Sequence, residues 1–457
     1  MTNSEDGPVV RPGMGHVGVA VGQPVKAAGG EQQLLGQGGE LGVGRGGGWP
    51  AVAALTAATF TVVTSEMLPV GLLTPIGREL RVSDGTAGLT LTVTGLVAAV
   101  AAPVLTLLVG RRDRRAVLAA LMATLTAANL LAAYAPNVAV LLMARVLVGL
   151  GMGGVWAIAA GLAVRLVPAH RVAAATSLVF SGVAAASVLG VPAGTSLGEL
   201  GGWRAAFVGM AAVCAVVALA LVVLLPPLPE TAAVRLAGAL GLLRGAPVRS
   251  GLMLVTLLVT GHFAAYTYVR PVLEGVAGVQ PGQISTLLLA FGLAGLAGNF
   301  AAGAGAARSP RATLVVICGV LAGTILLVPL LGRGPGVAGP TGLMAVGGLL
   351  AVWGLSYGGV SVSTQTWLMA AAPGAREAAS ALFVAVFNGA IALGAFLGGR
   401  AADSWGPTGV MWLGSALAAG ALVTAGVGKG PGRGGEGDGE GVRKGAVKGT
   451  RWERSGA

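Results

Sequence analysis

Two ionisable side chains stand in stretches that are otherwise apolar. Glu66 lies within Thr64-Ser65-Glu66-Met67-Leu68-Pro69, and Arg145 within Leu142-Met143-Ala144-Arg145-Val146-Leu147-Val148-Gly149. An ionisable group deep in an apolar run of membrane-spanning length is energetically expensive and by default marks function. A carboxyl in a low-dielectric cavity changes protonation state when a cation approaches or leaves it, so this acid and arginine are suited to proton exchange. The competing reading is a static buried ion pair that fixes packing. His262, Tyr266 and Arg270 form a second constellation, spaced i, i+4, i+8 on one helix face. An imidazole titrates near neutral pH, which makes His262 a candidate for contact with substrate or proton. Arg270 is expected to snorkel towards the membrane interface. Intramembrane amides at Asn388, Gln365, Asn299 and Asn129 complete the polar set. Of these, Asn388 and Gln365, with His262 and Tyr266, are the candidate cavity residues; Tyr268 and Trp353 are further polar-tipped aromatics for the same cavity.

The elements that carry these residues are long helices. The chain is 54% hydrophobic and 10% charged, against about 25% charged in a soluble domain. Twelve apolar stretches of membrane-spanning length can be delimited. The first six are Ala51–Leu73, Ala87–Val109, Ala116–Ala135, Val138–Gly161, Val172–Leu197 and Ala205–Leu225. The second six are Gly251–Val272, Ile284–Gly305, Ala312–Leu331, Gly342–Met369, Ala378–Gly399 and Thr408–Gly426. Backbone polar groups in lipid must be satisfied within the segment, so these are helices, and they lack the in–out alternation of a barrel. The expected fold is an all-α integral membrane protein. Glu66 and Arg145 each fall about seven residues from the outer end of their span, roughly 10 Å below that surface. They can meet if spans one and four are neighbours.

Charge sets orientation and excludes other classes. Loops after even-numbered spans hold twelve arginines, and those after odd-numbered spans, with Arg270 at the end of span seven, six. The richer side is cytoplasmic by the positive-inside rule, which places both termini inside a plasma or inner membrane. The net charge of +12 sits largely in these loops and the C-terminal tail, so it does not argue for nucleic-acid binding. The expected organisation is a disordered segment 1–49, six-helix units at 50–226 and 250–428, a cytoplasmic linker 227–249 and a disordered tail 429–457. A basic turn after span two, Gly110 to Arg115, is echoed by Gly305 to Arg311 after span eight. Internal repeats of this kind are typical of secondary transporters, whose substrate site lies between the halves. No phosphate-cradling P-loop occurs, so a pump of this sequence needs an ion gradient. Only three histidines are present, with no ligand cluster, and Cys214 and Cys318 read as small buried hydrophobes. Neither an enzyme, a metal nor a cofactor is expected.

Several motifs together resemble the major facilitator superfamily, in its branch of twelve-span drug:proton antiporters of the arabinose-efflux-permease and chloramphenicol-exporter type. The run Thr64 to Leu80 resembles the first-span signature with its embedded acid. Gly110, Asp113, Arg114 and Arg115 resemble the signature loop after span two, Arg145 with Gly149 the span-four motif, and Gly190-x-Pro192-x-Gly194 the antiporter motif of span five. Trp203 to Phe207 and Gln365 to Trp367 are further strings of this branch. Three features depart from the pattern: the loop Gly110–Arg115 is compressed and lacks the glycine usual after its aspartate, Ala306 with Ala307 stand for the acid of the second-half loop, and Ala186 stands for a span-five glycine. The resemblance implies two six-helix bundles rocking about a central cavity, Glu66 and Arg145 in proton coupling, and Asp113 with its arginines latching the inner gate. The expected activity is proton-driven efflux of small, largely apolar compounds by a monomer; sugar efflux or uptake is the alternative, and a receptor with a transporter fold a remote one.

Overall fold

The computed structural model describes residues 48–109, 112–228, 240–331, 340–428 and 430. Gly110, the linker residues 229–239 and nearly all of both terminal segments lie outside these residues, and the described end of the linker opens with a short 3-10 turn at Leu240–Arg244. Among the described residues the chain is all-helical.

Spans one to six are Gly48–Leu80, Asp84–Val109, Arg114–Ala133, Val138–Leu166, Val172 to Gly201 and Trp203–Leu224. Spans seven to ten are Ala246–Tyr266 with a short continuation Val269–Gly275, Pro281–Arg308, Pro310–Leu331, and Pro340–Gly358 continued by Val360–Ala371. One helical run, Arg376–Val427, follows. Its 52 residues would extend more than twice the hydrocarbon thickness if straight. It turns back at Gly406, whose φ of 73° is open to glycine, with Pro407 starting the return, so it supplies spans eleven and twelve.

Loops place the ends of odd and even spans on two faces. The face bearing Gly48 and Gly428 is called the terminal face here, and the other the opposite face. Spans one to six pack on one another and spans seven to twelve do the same, giving two bundles. Glycines set the closest approaches within each. Gly149 and Gly153 of span four lie on span two at Thr94 and Ala98, while Gly394 and Gly398 of span eleven lie on span seven at Thr260 and Ala264. The bundles meet along span two on span eleven and span five on span eight. Span eight packs on the parts of span five nearer the opposite face, Ala186–Gly190 and Val191–Gly201, and makes at most marginal contact with Val172–Ala185. The bundles therefore converge at the opposite face and splay towards the terminal face. Exposed side chains such as Leu96, Val100, Val216, Phe300, Met344 and Val423 give the outer wall the apolar surface that lipid requires.

Candidate functional site

The first bundle builds its site around a break in span one. Helix Gly48–Met67 passes into a 3-10 turn at Leu68–Leu72 and resumes as Leu73–Leu80, so the helical run continues past the expected end at Leu73 and takes in Arg78 and Glu79. Pro69 has no N–H to give the Ser65 carbonyl, four residues back. Arg145 takes that carbonyl instead: Nη1 donates to Ser65 O at 2.8 Å and Nη2 to Glu66 O at 2.7 Å. Its Nε reaches Thr94 Oγ1 at 3.0 Å and Thr90 O at 3.2 Å in span two. A fully buried guanidinium thus ties spans one, two and four together through backbone oxygens.

The Glu66 carboxyl is left out of this network. Its side chain is buried, and Oε1 has no hydrogen-bond partner. No ion pair joins it to Arg145 among the described residues, although the two are near enough to interact electrostatically. The arrangement is a proximal cation engaged elsewhere and a buried acid with one oxygen unpartnered, which differs from a static buried pair. Behind it, Asn129 Nδ2 donates to Ser65 Oγ at 3.2 Å and approaches Cys214 Sγ at 3.6 Å, so spans three and six brace this turn. Cys214 and Cys318 are both buried free thiols.

The second bundle breaks span seven at the equivalent depth. Helix Ala246–Tyr266 stops after 21 residues, as Gly48–Met67 stops after 20, and Pro271 follows the turn. Interrupted helices at matching places in two halves are the backbone signature of a midplane binding site. The last turn before the break carries His262 and Tyr266, both buried. His262 stacks on Tyr357 with centroids 3.3 Å apart and rings 7° from parallel, and Tyr266 stacks on Phe291 at 4.7 Å. Trp353 Nε1 donates to His262 Nδ1 at 3.0 Å, while His262 Nε2 is buried without a partner. Tyr357, in the second bundle, is within electrostatic reach of Glu66 in the first. Orphaned groups such as Glu66 Oε1 and His262 Nε2 each cost about 1–3 kcal/mol, which a ligand or another conformation can recover.

The span-five motif lies against the same turn of span one. A π-turn at Ala186–Gly190 precedes Val191, and Pro192 sits in the first turn of the new helix segment. Gly190 abuts Thr64 and Gly194 abuts Leu68. Across the bundles, Gly292 of span eight sits on the backbone of Ser187 and Val188. Irregular turns of this type cluster at functional positions because they re-aim the helix without breaking it.

A family model for the Major Facilitator Superfamily matches residues 55–394. The chain belongs to that superfamily. It is therefore a multi-pass membrane transporter and not an enzyme. A purine ribonucleoside efflux pump, NepI of Escherichia coli O157:H7, is 34% identical over 369 residues, covering 81% of this chain and 91% of that protein. OpdE of Pseudomonas aeruginosa, described as a transcription regulatory protein, is 35% identical over 365 residues, covering 79% of this chain and 89% of the relative. Among solved structures, the nucleoside transporter NupG superposes with a TM-score of 0.66 at 12% identity, covering 82% of this chain and 97% of that one. A bacterial homologue of the lysosomal transporter Spinster, in an inward-facing and occupied conformation, gives 0.62 at 16%, covering 82% and 94%. At these identities the structures speak for the fold alone.

Other positions of this superfamily member depart from the expectations. Asp113 caps span three by accepting from Arg115 N at 3.0 Å, and also accepts from Leu228 N at 2.8 Å. Both partners belong to the first bundle and its exit, so these two bonds do not bridge the bundles. Arg114 is buried beside it, its N–H donating to Leu228 O, and Arg112 is exposed. Asn388 is buried in span eleven with Nδ2 on Val384 O and Oδ1 unpartnered, and its carbonyl lies against Gly95 of span two. Gln365 is exposed, about 12 Å along span ten from Tyr357 on the terminal side, and does not join the aromatic group.

Arg270 does not snorkel. The helix break takes it off the His262 face; it is buried, with Nη1 on Gly71 O of the first bundle and Nε on Glu274 Oε1 at 2.9 Å. Sequence reasoning missed this junction. Asp403, at the end of span eleven, accepts from Gly85 N at 3.1 Å and Ser83 Oγ at 3.0 Å at the start of span two. Arg78 of the first bundle lies 3.8 Å from Glu274 of the second. A polar cleft of about 430 Å³ lined by Arg78, Asp84, Glu274 and Pro407 lies over the junction. The recurring strings anchor each bundle separately: Trp203 Nε1 and Arg204 bind Glu79, and Trp367 Nε1 donates to Pro247 O at 3.1 Å.

Proposed function

We propose that the protein is a proton-coupled exporter of small planar heterocyclic compounds, purine ribonucleosides foremost, working by alternating access as a monomer. The observation that carries this reading is the buried Glu66 carboxyl, with Oε1 unpartnered beside an Arg145 engaged with backbone, within electrostatic reach of Tyr357 in the histidine–aromatic group of the other bundle. An acid in that setting can take up a proton when substrate leaves and release it when substrate arrives. The stacked rings of His262, Tyr266, Phe291 and Tyr357 offer flat surfaces that suit an aromatic base better than a sugar alone. The NepI relative supports the same substrate class, and it narrows the earlier expectation of largely apolar compounds to ones with a polar edge.

Orientation follows from charge. The sequence after even-numbered spans holds twelve arginines, against six after odd-numbered spans when Arg270 at the end of span seven is counted, so the terminal face is cytoplasmic and both termini lie inside. With the opposite face joined by Arg270 and Asp403, the conformation is closed towards the outside.

The test uses full-length protein in liposomes with an acidic lumen and an internal pH dye. Purine ribonucleosides, an apolar antibiotic and arabinose are added outside one at a time. Antiport driven by nucleoside entry should alkalinise the lumen with nucleosides and with neither other compound. Alkalinisation with the antibiotic alone overturns the substrate class. Nucleoside binding without any proton movement overturns coupled transport and favours a sensing role, the function that the OpdE relative's description names.

A further inference from the structure

The histidine–aromatic group fixes which hydrogen-bonding edge it presents. An indole nitrogen can only donate, so His262 Nδ1, 3.0 Å from Trp353 Nε1, is an unprotonated acceptor. In the neutral ring the proton then resides on Nε2. Stacking restrains the ring from turning away: Tyr357 lies on His262 at 3.3 Å, and Tyr266 lies 5.0 Å away at 19°. His262 is 1% exposed and Trp353 fully buried, and Nε2 has no acceptor. The result is a preset donor without a partner, one turn before the break in span seven.

We propose that His262 Nε2–H donates to a ring nitrogen of the purine, and that Trp353 is the positioning residue that holds the imidazole in the required tautomer. This rests on the purine-ribonucleoside reading above and deepens it. A purine suits the arrangement because its flat faces can join the ring stack while its edge nitrogens accept a hydrogen bond. Trp353 touches the imidazole and acts through it.

The experiment measures binding of the tightest-binding purine ribonucleoside to full-length protein in nanodiscs. It is compared with analogues in which one ring-nitrogen acceptor at a time is replaced by C–H. Wild type should lose about tenfold or more on one analogue and little on the others, as expected when a buried donor is left unpaired. His262→Phe keeps an aromatic ring and removes the donor, so it should bind parent and that analogue alike. His262→Gln retains an N–H near Nε2 and should restore part of the preference. Trp353→Phe releases Nδ1, lets both tautomers populate, and should shrink the preference while the other analogues hold their order. Equal binding of parent and all analogues by wild type overturns the proposal and leaves the purine reading standing. An unchanged preference in His262→Phe overturns it too. A Trp353→Phe variant that weakens every compound by one common factor reduces Trp353 to packing. Binding of no purine ribonucleoside overturns the reading beneath the proposal.

Discussion

Glu66 and Arg145 divide the work of one site between a side chain and a backbone. Arg145 holds the Ser65 and Glu66 carbonyls that the Pro69 break releases, and Glu66 is thereby left with an unengaged carboxyl. Glu66→Gln removes the exchangeable proton while keeping the shape, so it should abolish nucleoside-driven alkalinisation yet leave nucleoside binding within a few-fold of wild type. Persisting proton flux would move the coupling acid elsewhere. Arg145→Lys tests the other half. A lysine cannot reproduce the fork that serves spans one and two at once, and hydrogen bonds from a charged donor contribute about 1.5–3 kcal/mol each. The variant should melt well below wild type in detergent; an unchanged melting temperature would show that the fork is not structural. The sequence singles out both residues because an ionisable group in an apolar run has few bland explanations. Tyr357 and Phe291 were not legible, since aromatics in a membrane span are ordinary core residues until their neighbours are known. Arg270 was misread because the i, i+4, i+8 spacing assumes an unbroken helix, and span seven breaks after Tyr266.

The helices were legible as lengths of apolar sequence, whereas their interruptions were legible only in part. Pro69 and Pro192 mark two of them, but nothing in residue type announces the π-turn at Ala186–Gly190 or the stop after Tyr266. Glycines in these spans permit close helix packing, but residue type does not name the partners. The tightest case is spans eight and ten, which meet backbone to backbone: a Cβ on Gly298 would lie 1.8 Å from Leu355 O, and one on Gly358 1.9 Å from Gly295 O. These spans hold Phe291 on one side and Trp353 with Tyr357 on the other, so their separation sets the aromatic group. Gly358→Ala should therefore destabilise the protein by about 3 kcal/mol through overpacking and weaken nucleoside binding. Gly348, exposed in the same span with nothing within 4 Å of a Cβ, supplies the control. Gly348→Ala should be neutral or mildly stabilising, because alanine favours a helix by up to about 1 kcal/mol over glycine. Equal melting temperatures for the two variants would refute the close-packing argument.

For the whole molecule, the described bonds of Asp113 on the terminal face stay within the first bundle and its exit, and the bundles are joined at the opposite face. That is the pattern a rocking transporter requires, since contacts that hold one face shut must part before that face opens. Asp403 is the member that bridges span eleven to span two, accepting from Gly85 N–H and the Ser83 hydroxyl at the helix start, where a negative charge is also favoured by the helix dipole. Two bonds to a carboxylate would contribute several kcal/mol if buried. Asp403 is exposed, so solvent screening reduces this to about 1–1.5 kcal/mol. A loss of that size shifts a two-state population roughly five- to tenfold, so Asp403→Ala should move the equilibrium towards an open opposite face. Spin labels at Tyr134→Cys and Gly282→Cys report it, because both positions are exposed on the opposite face in different bundles, while Cys214 and Cys318 are buried. In the otherwise unaltered protein the distance distribution should be dominated by the short, closed separation. With Asp403→Ala a longer separation should grow several-fold, and nucleoside should redistribute the two populations. A distribution unmoved by the substitution would assign closure of this face to Arg270 and Glu274 rather than to Asp403.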